Sequence, residues 1–113
     1  METDLIETVA VKTGKRLYII PVAEIVCFQA YGDYVNIMTS HGTYLKEQTL
    51  KYFEEHLPEK QFLKVHRSYI VNIYAIRIIE RCGRDQYLLI LSNQEKIKAT
   101  LEGFKRLKAA LKL

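Results

Sequence analysis

The sequence predicts a mainly β fold: small, mostly antiparallel sheets with short helices as accessories. Three observations predict it. Apolar and polar residues alternate over short runs through most of the chain. Turn-forming clusters such as Thr13-Gly14-Lys15, His41-Gly42 and Gly83-Arg84-Asp85 separate those runs. A helical spacing of three to four appears only twice, and briefly. The order of segments lacks the regular strand–helix alternation of a doubly wound sheet, and no Gly-rich phosphate loop is present.

Taken in order, Leu5, Glu7, Val9 and Val11 alternate with Ile6, Thr8, Ala10 and Lys12, and Arg16 to Ile20 returns after the turn at Gly14. Pro21 breaks the pattern and suits the start of one helical turn, Pro21 to Glu24. Ile25 to Gln29 and Tyr34 to Thr39 are strands joined through Tyr31-Gly32-Asp33, and His41-Gly42 leads into Tyr44-Leu45-Lys46. Thr49 can cap a helix that packs Leu50, Phe53 and Leu57 and stops at Pro58. Phe62 to Val65, Tyr69 to Val71, Ala75 to Arg81, Tyr87 to Leu91 and Lys96 to Ala99 read as further strands. In the third of these, Ile76 and Ile78 oppose Arg77 and Arg81. A final helix, Leu101 to Leu111, is expected to bury Leu101, Phe104, Leu107 and Leu111.

At 113 residues the chain has the size of one domain, 1–113, able to bury a core without a metal or disulfide. No apolar stretch is long enough to span a bilayer, and Met1-Glu2-Thr3-Asp4 lacks the basic and apolar regions of a signal peptide, so the expected location is the cytoplasm. Cys27 and Cys82 are each expected to be buried free thiols there. The net charge of +4 is unevenly spread. Residues 1–56 carry 5 Lys+Arg against 8 Asp+Glu, a balance of −3, and residues 57–113 carry 12 against 5, a balance of +7. A basic second half suits a polyanionic partner.

Catalysis and metal binding find little support. His41, His56 and His66 are far apart, and no Cys stands at ligand spacing to any of them. His66 and Ser68 would share a strand face, but there is no G-x-S-x-G elbow and no nearby orienting acid. Glu54 and Glu55 diverge on a helix and are solvated. No catalytic residue, metal, cofactor or small-molecule substrate is expected.

The informative stretch is Phe62-Leu63-Lys64-Val65-His66-Arg67-Ser68-Tyr69-Ile70-Val71-Asn72. Three polar donors interrupt two apolar strand fragments. On a rigid support such donors can bond phosphates, and Arg67 can grip guanine O6 and N7. A local turn held by His66 and Ser68 through backbone hydrogen bonds is the other use of the same residues.

This stretch resembles the signature of the LytTR family of DNA-binding domains, roughly F-x-R/K-x-H-R/N-S-Y/F-x-V-N. The segment Ile25 to Val35, ending Gly32-Asp33-Tyr34-Val35, resembles the family's strand–turn–strand element. Thr49 to Pro58 resembles its short helix, and Leu88 to Thr100 its closing strand pair. The resemblance covers essentially the whole chain. It implies an elongated arrangement of small antiparallel sheets and binding of double-stranded DNA by loops that enter successive major grooves. It also implies a place as the output domain of a bacterial two-component response regulator, behind a receiver domain that is absent from this chain. It implies transcription regulation, with possible pairing of two copies on adjacent DNA repeats.

Carried over residue by residue, Arg67 matches a base-contacting position, with His66 and Ser68 beside it near the backbone. Lys98 and Thr100 match positions that approach phosphates, and Lys105 is a further candidate one turn into the helix. Asp33 and Tyr34 match the tip of the first contacting loop. Lys64, Lys98, Lys105 and Arg106 would supply nonspecific attraction. The chain departs from the family at Thr100-Leu101-Glu102-Gly103, where a basic residue often follows the hydroxyl. Glu102 is expected to turn away from the phosphates. The resemblance requires the 66–68 turn and the 98–105 junction to share one side of the molecule. The rival readings are an RNA-binding β module, stacking bases on some of the 8 Tyr, and a protein-interaction module working through exposed edge strands. Tyr18, Tyr44, Tyr69 and Tyr87 alternate with polar neighbours as packing residues do, which counts against the first.

Overall fold

The computed structural model describes residues 4–113; the signal-peptide reading of the chain start falls, except for Asp4, outside the described residues. Within them the order of elements matches the expected succession of short strands with two helices.

Thr8–Thr13 (β1) and Arg16–Pro21 (β2) form a hairpin with Val9 opposite Ile20 and Val11 opposite Tyr18. Gly14 adopts φ +60° at the first position of its two-residue loop, where a side chain would be strained. Leu5 and Ile6 lie outside the strand, contrary to the alternation. The Ile6 N–H donates to the His56 carbonyl at 3.0 Å, which commits this lead-in to the first helix instead.

A 3-10 turn, Val22–Glu24, follows Pro21 and leads into the five-stranded sheet. Its strands are Ile25–Tyr31 (β3), Tyr34–Thr39 (β4), Thr43–Lys46 (β5), Phe62–His66 (β6) and Tyr69–Asn72 (β7), in the order β5-β4-β3-β7-β6, all antiparallel. The helix Leu50–His56 (α1) bridges β5 and β6, and the Thr49 hydroxyl caps it by accepting from the Tyr52 N–H. A second 3-10 turn, Ile73–Ala75, is capped by Asn72 and enters the third sheet. That sheet is Ile76–Gly83 (β8), Gln86–Leu91 (β9) and Lys96–Thr100 (β10), in the order β10-β9-β8. Leu101–Leu111 (α2) closes the described chain.

The five-stranded sheet is a wall buried on both faces, which explains the continuous apolar runs Ile25-Val26-Cys27-Phe28 and Ile70-Val71. On one face Phe28, Val35, Ile37, Phe62 and Ile70 pack with Val9, Val11 and Ile20 of the hairpin and Phe53 of α1. Phe28 lies 4.6 Å from Phe53 and 5.8 Å from Phe62, centroid to centroid. On the other face Cys27, Met38, Val65 and Val71 pack with Leu89, Leu91, Ile97 and Leu107 of the third sheet and α2. The result is somewhat elongated, 46 × 35 × 23 Å. The mainly β architecture of small antiparallel sheets is as expected.

Three local expectations are corrected. A bulge between Ile76 and Ile78 breaks the alternation of β8, so Ile78 is exposed and Ile79 takes its place against the core. In α2 the buried residues are Gly103 and Leu107; Leu101 and Phe104 are half-buried and Leu111 is exposed, because only the first two turns lie against the sheet. Cys82 is exposed near the β8–β9 turn, while Cys27 is fully buried as a free thiol. Burial pushes the Cys27 thiol up to about 12, and the Glu95 carboxylate acts in the same direction.

Candidate nucleic-acid interface

The His-Arg-Ser interruption is the turn between β6 and β7. His66 pairs with Tyr69, leaving Arg67 and Ser68 as the loop. The Ser68 N–H donates to His66 Nδ1 at 3.0 Å. The Ser68 carbonyl accepts from the Ala30 N–H at 2.8 Å, tying the loop to β3. The His66 ring lies 5.5 Å from the Tyr69 ring. The Tyr69 hydroxyl accepts from Gln29 Nε2 at 3.2 Å, and Gln29 Oε1 accepts from Asn36 Nδ2 at 3.2 Å. The turn is therefore held by its own backbone and by polar side chains of β3 and β4, with Arg67 projecting exposed from it. The local turn-holding use of His66 is realised through its side chain; Ser68 takes part through its main chain. Partial burial lowers the His66 pKa below its ordinary value, and the nearby Arg67 and Lys98 cations lower it further.

The β10–α2 junction sits against this turn. Thr100 caps α2 by accepting from the Gly103 N–H at 3.0 Å and donates to the Val65 carbonyl at 3.4 Å. Gly103 lets the helix approach β6 closely: a Cβ there would fall 2.1 Å from the Val65 carbonyl oxygen. Arg106 donates to the Lys64 carbonyl at 3.2 Å. A cleft of about 270 Å³ is bordered by Lys64, His66, Arg67, Thr100, Glu102 and Arg106. A second, of about 220 Å³, lies between His66, Asp85, Tyr87, Lys98 and Thr100. The 66–68 turn and the 98–106 junction thus share one side of the molecule and border the same clefts.

The structure brings Lys64, His66, Arg67, Lys98 and Thr100 together around these clefts, with Ser68 on the same turn. Lys105 is exposed on α2 but borders neither cleft. Lys64 lies 3.9 Å from Glu54, and with side chains 29% and 45% exposed the pair is loosely held. Asp33 and Tyr34 stand at the β3–β4 hairpin, which ends on the same side of the sheet as the 67–68 loop because Gln29 pairs with Tyr69. The hairpin borders neither cleft. Glu102 borders the cleft with Arg67 and Arg106. Its place in the first turn of α2 favours a carboxylate there, opposite the positive end of the helix dipole.

Two further features escaped the sequence reading. Tyr31, 61% exposed, pairs with Tyr34 to frame the Gly32-Asp33 tip; the signal was an aromatic on each side of a turn. Gly103 is the other, and an isolated Gly inside a helical pattern was its signal. Tyr18, Tyr44, Tyr69 and Tyr87 are half-buried, as their alternation implied, with Tyr87 stacked on Phe104 at 3.8 Å.

The sequence pattern of the LytTr DNA-binding domain family matches residues 15–112. The chain is 30% identical over 102 residues to the sensory transduction protein LytT of Bacillus subtilis (strain 168), covering 90% of this chain and 42% of that protein. It is 23% identical over 113 residues to the transcriptional regulatory protein LytR of Staphylococcus aureus (strain N315), covering 100% of this chain and 46% of that protein. The chain therefore spans less than half the length of these curated relatives. A solved LytTr DNA-binding domain from Bacillus cereus superposes with a TM-score of 0.86 at 23% identity, over 95% of this chain and 98% of that one.

Proposed function

The chain belongs to the LytTr DNA-binding domain family, and we propose that it binds duplex promoter DNA sequence-specifically through the 66–68 turn, the 98–106 junction and the 31–34 hairpin. The observation that carries this reading is the packing of α2 and β10 against β6 at the base of the His66-Arg67-Ser68 turn, which joins basic residues distant in sequence into one surface. Arg67 is exposed and reads base edges; Lys98, Lys105, Lys64 and Arg106 supply attraction to phosphates and set register. His66 and Ser68 shape the turn. The Thr100 hydroxyl caps α2 and donates its one proton to the Val65 carbonyl, so it can donate to a phosphate oxygen only by giving up that bond. The longest extent, 46 Å, exceeds one turn of B-DNA, about 34 Å, so a single domain can address successive major grooves.

In this reading the chain is one domain throughout. In a full-length regulator it acts in the cytoplasm as the output module of a two-component system, activating or repressing transcription. Phosphorylation of a receiver domain brings two copies together on adjacent repeats, raising occupancy by avidity. The described residues contain no helix long and apolar enough to cross a membrane.

The test is selection of binding sites from random duplex DNA, followed by variants on the winning sequence. Arg67→Ala should cost about 1–3 kcal/mol and relax preference at one position. Lys98→Ala should weaken all sequences alike and reduce the salt slope by about 1. Enrichment of no sequence, or parental binding by both variants, would overturn the assignment.

A further inference from the structure

We propose that His66 is the positioning residue of this interface: as the neutral Nε2–H tautomer it latches the 66–68 turn, so that acid opens the turn and weakens DNA binding. The inference rests on the proposed use of that turn. Its ground is one hydrogen bond. The Ser68 N–H points at His66 Nδ1 at 3.0 Å, and an N–H can be received there only by an unprotonated nitrogen. The neutral ring must then carry its proton on Nε2. Protonation places a second N–H at Nδ1, facing the Ser68 N–H, and the latch becomes a repulsion between two donors.

The surroundings favour the neutral ring. Arg67 in the turn and Lys98 on β10 both oppose a positive charge on it, in the same direction as partial burial. Tyr69 of β7 lies beside the ring and carries no charge. Across the first cleft, Glu102 and Arg106 of α2, Glu54 of α1 and Lys64 of β6 combine two carboxylates with two cations. Across the second, Asp85 of the β8–β9 turn is the facing carboxylate. The turn is tied on through the Ser68 carbonyl to Ala30, so its opening is felt at β3 as well.

The sign separates this role from a simple phosphate contact. A histidine that merely attracted phosphate would bind DNA more tightly as it gained charge in acid. A latching histidine binds less tightly. Because the folded pKa is lowered, the latch is fully present above the ordinary histidine value of 6.5 and is lost as pH falls through the folded value. One hydrogen bond in a tight turn corresponds to roughly a two- to tenfold change in affinity.

The experiment measures affinity for a selected duplex at constant salt between pH 7.5 and 5.0, for the parent, His66→Asn and His66→Gln. Asparagine Oδ1 stands where Nδ1 stood and can accept from the residue two positions on, as in an Asx-turn, but it does not titrate. Glutamine keeps an amide near Nε2 without the acceptor at Nδ1. The parent should lose affinity in acid about two- to tenfold. His66→Asn should stay within about twofold of the parent at pH 7.5 and show no such loss. His66→Gln should already be weakened at pH 7.5. In parallel, the Ser68 amide resonance of the DNA-free domain should titrate together with the His66 ring. Affinity that rises in acid, or an identical acid loss in parent and His66→Asn, would overturn the proposal. A Ser68 amide that titrates with His66 in a protein that binds no duplex at any pH would keep the latch and refute the DNA reading instead.

Discussion

Replacing Gly103 by alanine tests the contact on which the whole surface depends. In an ordinary helix the change would stabilise, by about 1 kcal/mol, because glycine is a poor helix former. Here the added Cβ would lie 2.1 Å from the Val65 carbonyl oxygen, 2.6 Å from its carbon and 2.7 Å from its Cα, where real Cβ atoms keep at least 3.0 Å. All three are backbone atoms, so no rotamer change relieves them. Val65 is fully buried in β6, and Thr100 holds the start of α2 to the same carbonyl. The helix must therefore move off the strand by about 1 Å, which loosens both the cap and the packing of Leu107. Overpacking of this kind costs about 1–3 kcal/mol, looser packing of Leu107 adds about 1, and the helix-propensity gain of about 1 offsets that, leaving a net loss of about 2 kcal/mol. Thermal unfolding followed by circular dichroism should show a Tm lower by roughly 10 °C for a chain of this size. A Tm equal to or above that of the parent would mean that helix propensity wins, and that α2 does not approach β6 as closely as described.

Three further predictions concern single residues. Thr100→Ala removes the cap of α2 and should cost about 1 kcal/mol, or roughly 4–8 °C in Tm, whereas Thr100→Ser should retain most of it. Cys82 should react with a thiol reagent in the native protein and Cys27 only on unfolding. Because the Cys27 pKa is raised from 9.0 to about 12, its contribution is intact below pH 9 and lost as pH rises toward 12. Denaturation of the parent should therefore lose up to about 2 kcal/mol more between pH 8 and pH 10.5 than that of Cys27→Ala.

What was legible in the sequence was what local chemistry decides. Thr49 before Leu50, Phe53 and Leu57 marked α1 and its cap, and Pro58 its end. The polar break at 66–68 marked a turn that a packing strand would not need. What was not legible depends on which segment lies against which. The bulge at Ile76–Ile78 follows from the register with β9, invisible in the alternation of β8 alone. Leu111 fits the apolar stripe of α2 but extends beyond the sheet that the stripe covers. Gly103, a poor helix former inside α2, is where that helix meets a carbonyl, which only the docking of α2 on β6 reveals. Glu102 was judged against phosphates, while its place on the first turn of α2 is favoured by the helix itself.

The placement of Glu102 bears on how the surface discriminates. The first cleft carries Glu54 and Glu102 beside Lys64, Arg67 and Arg106, so its interior is close to neutral. Among the described residues Lys64 is paired with Glu54, and Arg106 is turned to the Lys64 carbonyl. Arg67 is left exposed without an ion pair among them. A phosphate entering the cleft would meet two carboxylates that offset most of the cleft's cationic charge, whereas Lys98 and Lys105 stand outside this cleft with both side chains exposed. On the proposed reading the sugar-phosphate strands therefore run chiefly along these outer lysines, with Lys64 and Arg106 adding weaker attraction, and what faces the cleft and Arg67 is the floor of a groove. The carboxylates of the cleft then contribute to register by weakening its pull on the backbone. Glu102→Gln should accordingly raise affinity for all duplexes while narrowing the gap between selected and random DNA. Gel-shift titrations of both duplexes measure the two effects separately, and a gain confined to the selected sequence would contradict this division of labour.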